Sequence, residues 1–303
     1  MKPLGEIIRG FGVNCQLYAD DTQLYISTPN HPNEAVDVMT RCLEAVRVWM
    51  GTNRLRLNPS KMEWLWMPAS RHSHFTPLLT VRGESLVPRE SVRNLGVLLD
   101  ARLSLEDHLT TVTRGAFYQV RLIRQLRPFL DRDSLCTVTH ALVTSRLDCC
   151  NALYMGLPLK STRKLQLVQN AAARRIEGAP RSSHVTPLLR RLHWLPVVFR
   201  MCFKVLVITF KALHGIGPGY LWDRLLPSVT SHHPVRPVRS HREGLLRVPS
   251  ANQCRLATPR GRAFSVGAPA LWNELPVGLR LIPDLRTFKR ELKTFFFHQT
   301  GLA

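Results

Sequence analysis

An α+β architecture is predicted for this 303-residue chain, on three observations. Residues 13–27 alternate apolar and polar on both sides of Asp20-Asp21, the period-two signature of a β-hairpin. Val36, Met39, Leu43, Val46 and Met50 then follow at spacings of three and four, the single apolar stripe of a helix. From about Leu105 onward the apolar spacing is helical, broken by one Pro- and Arg-rich interval. With 45% apolar and 21% charged residues the chain can bury a sizeable core, which excludes disorder throughout.

Each element has its own local reason. In the hairpin, Cys15, Leu17 and Ala19 alternate with Asn14, Gln16 and Tyr18, and Leu24 and Ile26 resume the alternation after the acidic tip. The helix that follows starts near Asn33, a good N-cap, and ends around Gly51 or Asn53. Leu55 to Pro59 turns the chain. Glu63–Met67 reads as a strand, residues 68–77 as loop, and Leu78–Val81 and Val92–Leu99 as short strands closing the first unit. Leu109, Val112, Ala116, Val120 and Ile123 mark a helix stopped by Pro128. Leu135, Val138 and Leu142 mark a second, capped by Asp131 or Asp133. A third runs from about Ser161 to Ile176, with Leu165, Val168 and Ala172 on one face and Arg163, Lys164, Arg174 and Arg175 on the other. Phe199, Phe203, Leu206, Phe210 and Leu213 give a fourth, and Leu285–Phe297 closes the chain. Residues 227–262 lack sustained periodicity and read as an irregular segment, with Gly244–Val248 as a short strand inside it.

The charge is uneven. Forty-two Lys and Arg against 21 Asp and Glu give +21, of which residues 1–100 contribute only +1 (11 basic, 10 acidic). Residues 101–200 carry 16 basic against 6 acidic groups and residues 201–303 carry 15 against 5, so each stretch is +10. The excess is almost all Arg, which pairs bidentately with phosphate and stacks on bases. A polyanion is the natural partner, although a membrane surface or an acidic protein satisfies the same electrostatics. Seven scattered cysteines argue against a disulfide framework and for a reducing, intracellular compartment. Met1–Val13 has no apolar stretch of secretory type, so secretion is not expected. Leu195–Leu213, the nearest approach to a membrane span, is interrupted by Arg200, Lys204 and Lys211.

Tyr18-Ala19-Asp20-Asp21 is the feature that carries chemistry. A tight hairpin projects two adjacent carboxylates while its strands stay packed, and adjacent carboxylates ionise together only when a cation or solvent compensates them. Magnesium binds carboxylate oxygens and substrate phosphates at once. An exposed Asp-Asp turn with no function is the plain competing reading of those two residues alone.

Context shifts that balance. The hairpin resembles the catalytic hairpin of reverse transcriptases, an aromatic residue, Ala, Asp and Asp at a strand turn. Trp49 leading into Leu55-Arg56-Leu57-Asn58-Pro59-Ser60-Lys61 resembles the next motif of the enzymes of non-LTR (LINE-type, jockey-like) retrotransposons. Asn94-Leu95-Gly96-Val97-Leu98-Leu99-Asp100 resembles the primer-grip motif after it. Ser145–Asn151, Lys164–Arg174, Leu192–Val197 and Ala268–Pro276 resemble the segments that follow the polymerase core, so the likeness runs from about residue 12 to 297.

The resemblance implies a partial polymerase palm over 1–104, a helical thumb-like region over 105–180, and a basic C-terminal region over 181–303. It implies RNA-directed DNA polymerase chemistry with Mg2+ held by Asp20 and Asp21, Lys61 near the leaving pyrophosphate, and Tyr18 against the primer end. The partners would be an RNA template and DNA primer, or their duplex, bound largely without regard to sequence. Arg121, Arg124, Arg127, Arg174, Arg175, Arg190 and Arg191 would track its backbone, while a solvated face or the complement of helix C-termini is the plain reading of those arginines. Nuclear placement would suit target-primed copying, yet no compact Lys-rich import signal is visible.

One departure stands against activity. The family's further catalytic Asp lies well upstream of its hairpin, whereas the 19 residues before Asp20 contain Glu6 as their only acid. The expectation is a truncated element beginning in mid-palm and inactive alone. A non-catalytic nucleic-acid-binding remnant and a plain protein-interaction module are the alternatives. Cys136, His140, Cys149 and Cys150 lack the paired spacing of a zinc site and read as core or surface residues. Trp194, Trp272 and Phe295–Phe297 read as packing anchors.

Overall fold

The computed structural model describes residues 2–27, 32–68, 77–81, 83–230, 244–248 and 262–301. The chain divides into two compact units, Met1–Leu103 and Ser104–Ala303.

The first unit opens with a helix that the sequence reading does not predict, α1 (Lys2–Gly10), whose Leu4 and Ile8 are fully buried. Strands β1 (Asn14–Tyr18) and β2 (Asp21–Tyr25) form the expected antiparallel hairpin, with Tyr18 opposite Asp21. Helix α2 (Pro32–Thr52) starts on a proline, whose fixed φ and missing N–H suit the first helical turn. Its buried stripe is Ala35, Met39, Cys42, Leu43 and Val46. These residues pack with α1 and with Cys15, Leu17, Leu24 and Ile26 from the inner hairpin face in one core.

Glu63–Met67 is not a strand. Residues 62–68 have no regular structure, and a backbone bond from Arg89 N to Trp64 O (2.8 Å) ties them down. Four short strands follow: β3 (Leu79–Val81) with β4 (Glu84–Leu86), and β5 (Ser91–Asn94) with β6 (Val97–Asp100). Val92–Leu99 is therefore a hairpin rather than one strand. Leu95 (φ 45°) and Gly96 (φ 86°) form its two-residue turn, which needs positive φ at both positions to match the strand twist. The three hairpins remain separate two-stranded sheets.

The second unit is helical, and among the described residues no strand lies beyond Asp100. Helices α3 (Glu106–Leu126) and α6 (Leu159–Glu177) run side by side in the same direction. Lys164 meets Glu106 (3.4 Å) at their N-terminal ends, and Arg124 and Arg175 line one cleft at their C-terminal ends. Between them lie α4 (Arg132–Thr139), a wider five-residue turn at His140–Thr144, and α5 (Ser145–Asp148). Asp131 is the cap of α4, accepting from Ser134 N at 2.7 Å.

After α7 (Thr186–Arg191) comes α8 (Val197–Leu213), whose start is set by two glutamines of α6. Val197 N donates to Gln166 Oε1 (2.8 Å), and Gln169 Nε2 donates to Leu195 O (2.9 Å). Around α8 pack α9 (Gly219–Thr230), α10 (Phe264–Asn273) and α12 (Leu285–Gln299), with α11 (Val277–Arg280) against α12. The Phe210 and Phe288 rings stack at 4.5 Å, and Trp194, Trp272, Phe296 and Phe297 are buried, as anchors should be. The irregular segment expected over 227–262 is helical to Thr230. Residues 244–248 are not a strand; the Asn273 side chain instead pairs with both backbone groups of Leu246 (2.9 and 2.6 Å). The rest of that segment lies outside the described residues.

Candidate functional site

In the first unit, the period of two fixes what the hairpin shows. Asp20 sits in the two-residue turn and Asp21 is the first residue of β2, so both carboxylates are exposed. Ala19 holds φ 53°, a left-handed conformation that costs a residue with a Cβ roughly 1–2 kcal/mol. The outer face carries Asn14, Gln16 and Tyr18 against Asp21, Gln23 and Tyr25, with Tyr18 67% exposed. Asn94, at the end of β5, donates from Nδ2 to Gln23 Oε1 at 2.9 Å. The first residue of the Asn94–Asp100 motif thus reaches the outer face of the acidic hairpin.

Lys61 ends a short 3-10 turn and is exposed; Asn58 caps that turn, accepting from Ser60 N (3.1 Å) and Ser60 Oγ (2.7 Å). Among the described residues no hydrogen bond or ion pair joins Lys61 to Asp20 or Asp21. No group of three or more His, Cys, Asp or Glu gathers among the described residues either. A pair of exposed carboxylates without a third donor does not fit a two-metal centre, which needs ligands around both ions.

In the second unit, the parallel run of α3 and α6 brings their C-terminal ends to one cleft of about 570 Å3. It is lined by Arg124, Arg127, Arg132 and Arg175 over Pro128, Leu130, Leu135 and Ile176. Among the described residues, Arg124, Arg127 and Arg175 have no acidic partner. Arg132 pairs with Glu177 (2.9 Å), which Arg191 approaches from the other side (3.6 Å). Gly178 terminates α6 at φ 65°, and the Arg127 guanidinium occupies the space that a Cβ at 178 would need.

The net charge follows by counting. Four guanidinium groups and one carboxylate leave +3, and two helix C-termini carry roughly half a negative charge each. About +2 remains, so complementing the helix ends does not use up the arginines.

Of the seven arginines predicted to bind nucleic acid, Arg124, Arg127 and Arg175 line this cleft. Arg121 is exposed on α3 outside it. Arg174 donates to Ser183 O (3.1 and 3.0 Å), Arg190 to Gly301 O (3.1 Å), and Arg191 faces Glu177. Sequence reasoning missed Arg132, which only the packing of α4 beside α3 and α6 brings to the cleft. Asp131 caps α4 as expected, and the Ser134 amide holds its carboxyl below the usual range.

The zinc candidates do not assemble. The His140 ring stands edge-on to Trp194 (5.4 Å), and burial and Arg200 lower its pKa. Cys149 and Cys150 are exposed neighbours. A second cavity, of about 250 Å3, is lined mainly by apolar groups around Met155, Met201 and Leu271; burial pushes the Cys202 thiol there up to about 11.

The chain is similar to a transposon polymerase. It is 29% identical over 183 residues to a Drosophila melanogaster protein described as a probable RNA-directed DNA polymerase from transposon BS. That alignment covers 58% of this chain and 20% of the relative, so the chain spans about a fifth of that protein's length. The match supports a reverse-transcriptase relationship. No family model and no solved structure matches the chain. No described helix is long and apolar enough to cross a membrane.

Proposed function

We propose that this chain is a nucleic-acid-binding protein of reverse-transcriptase descent, from a non-LTR (LINE-type) retrotransposon, with the cleft between α3, α4 and α6 as its binding surface. The observation that carries the reading is the convergence of three acid-free guanidinium groups, Arg124, Arg127 and Arg175, on one cleft. Arginine forks suit phosphate oxygens, and contacts of this kind position a backbone without reading bases. Binding is therefore sequence-independent and weakened by salt.

Under this reading the first unit corresponds to part of a palm, Asp20 and Asp21 to its acidic hairpin, Tyr18 to the primer-side aromatic, and Lys61 to the cation near pyrophosphate. Magnesium at the hairpin requires carboxylates that the described residues do not bring there, so no polymerase step is assigned to this chain. A protein-interaction module is the competing class, and affinity for nucleic acid separates the two.

The test is fluorescence anisotropy of purified protein with labelled RNA–DNA duplexes of unrelated sequence. The wild-type chain is expected to bind all of them alike, with affinity falling steeply as salt rises. The Arg124→Gln/Arg127→Gln protein should bind each more weakly and lose about 0.9 from the log–log salt slope per phosphate contact removed. Affinity that ignores salt, or variants that bind like the wild type, would remove the cleft from the reading. A parallel primer-extension assay on an RNA template is expected to show no incorporation. Incorporation that Asp20→Ala abolishes would show the chain to be a working polymerase.

A further inference from the structure

Phe129 is the most solvent-exposed large apolar side chain in the described structure, at 83%. It stands between Pro128 and Leu130, both of which line the arginine cleft, on the 3-10 turn Arg127–Phe129 that follows α3. Isolated exposed apolar residues are ordinary on protein surfaces. This one is held on a short helical turn beside Arg127, within a surface that carries about two uncompensated positive charges.

A second aromatic extends the pattern. Tyr118 is 56% exposed on α3, Arg121 follows it along the helix, and Arg124 is the next arginine, at the cleft itself. From Tyr118 to Phe129 is 11 residues, about 18 Å with a rise of about 1.5 Å per residue on α3 and about 2.0 Å on the 3-10 turn. Between these two aromatics the chain places Arg121, Arg124 and Arg127.

We infer that this edge of the second unit binds a single nucleic-acid strand in preference to a duplex, Phe129 stacking on an unpaired base while the cleft arginines hold the adjoining phosphates. The inference rests on the proposed binding at the cleft and specifies which form of nucleic acid takes it. Its physical basis is that bases inside a duplex already stack on one another, whereas an unpaired base has a free π-face for an aromatic ring. Combined with a cationic groove, such a platform tolerates any sequence. Charge complementarity favours this occupant over a second copy of the chain, which would bring the same positive surface against itself.

The experiment compares full-length wild-type protein with Phe129→Ala on three labelled probes: an oligothymidylate, an abasic sugar–phosphate strand of the same length, and a blunt duplex. Stacking on one base predicts that Phe129→Ala weakens oligothymidylate binding by roughly 5- to 150-fold. Binding of the abasic strand and the duplex should be unchanged. Because the side chain is exposed, the variant should keep the wild-type melting temperature, and Phe129→Trp should restore strand affinity. Equal affinity for strand and duplex, or Phe129→Ala acting equally on all three probes, overturns the inference while leaving the cleft reading in place. Failure of the wild type to bind any probe removes the cleft reading itself.

Discussion

Glu177 gives the sharpest test of the cleft, because its two roles predict effects of opposite sign. Its side chain is only 8% exposed and lies between Arg132 and Arg191, whose heads are more than half exposed. Glu177→Gln keeps the shape and removes one negative charge, so the net charge facing a polyanion rises from about +2 to about +3. If each positive charge neutralises one phosphate, the log–log salt slope on a duplex steepens from about −1.8 to about −2.7. At 0.15 M salt that extra unit is about a fivefold gain in affinity. Stability moves the other way. Replacing a charge-assisted pairing by a neutral one costs roughly 1 kcal/mol here, at the low end because the arginine heads are solvated. In a unit of this size that is about 2–4 °C of melting temperature. The assay is anisotropy across a salt series beside a thermal melt. A variant that melts lower yet binds no more tightly, with an unchanged salt slope, refutes the argument, because the polyanion then does not feel the charge on Glu177.

Three further outcomes follow from particular residues. Ala19→Gly should stabilise the first unit by up to about 1 kcal/mol in urea denaturation, the left-handed strain relieved exceeding the entropy cost of glycine; destabilisation would contradict the turn geometry. Phe288→Ala, at a fully buried ring stacked on Phe210 and tilted on Trp272 (5.8 Å), should cost about 3–5 kcal/mol and be read as early melting of the second unit. Asp131 and Asp284 cap α4 and α12, and the Ser134 and Thr287 amides hold both carboxyls below their ordinary range. Their contribution is complete above about pH 4, the unfolded-state value, and is lost as pH falls through the depressed folded-state values. A double Asp→Asn variant, whose amides still accept the cap bonds, should flatten that acid limb of the melting curve.

The long helices were legible because each carries its own stripe. Leu109, Ala116, Val120 and Ile123, or Leu165, Val168 and Ala172, bury one face whatever the partner. Helix α1 was not legible: it has nine residues, with Pro3 and Gly5 among them, and what holds it is the burial of Leu4 and Ile8 in the core shared with α2. Glu63–Met67 misled in the opposite direction. Its Trp64 and Trp66 favour strands, but a strand is made by a partner edge, and a single backbone bond to Arg89 is not a ladder. Helix α10 forms despite an internal Pro269, where Ala268 and Trp272 are buried and the Trp272 indole donates to Gly244 O (2.8 Å). Local propensity counts against that helix and tertiary packing overrides it.

The same distinction divides the candidate sites. The acidic hairpin is written in four consecutive residues, and its geometry could be read there because a period of two dictates which side chains face out. The cleft is written nowhere locally. Arg124, Arg127, Arg132 and Arg175 span 51 positions, each with an ordinary explanation as a solvated or helix-end cation, and only the parallel packing of α3 and α6 makes them neighbours. Composition nevertheless carried a trace of it: residues 1–100 sum to +1, while residues 101–303 hold 31 basic against 11 acidic groups. Charge that merely keeps a protein soluble has no reason to avoid one compact unit and crowd the other. The carboxylates that metal chemistry would need and the arginines that would hold a polyanion therefore lie on separate bodies. Under the proposed reading, Asp20→Ala should leave affinity for nucleic acid unchanged, because the hairpin and the cleft belong to different units.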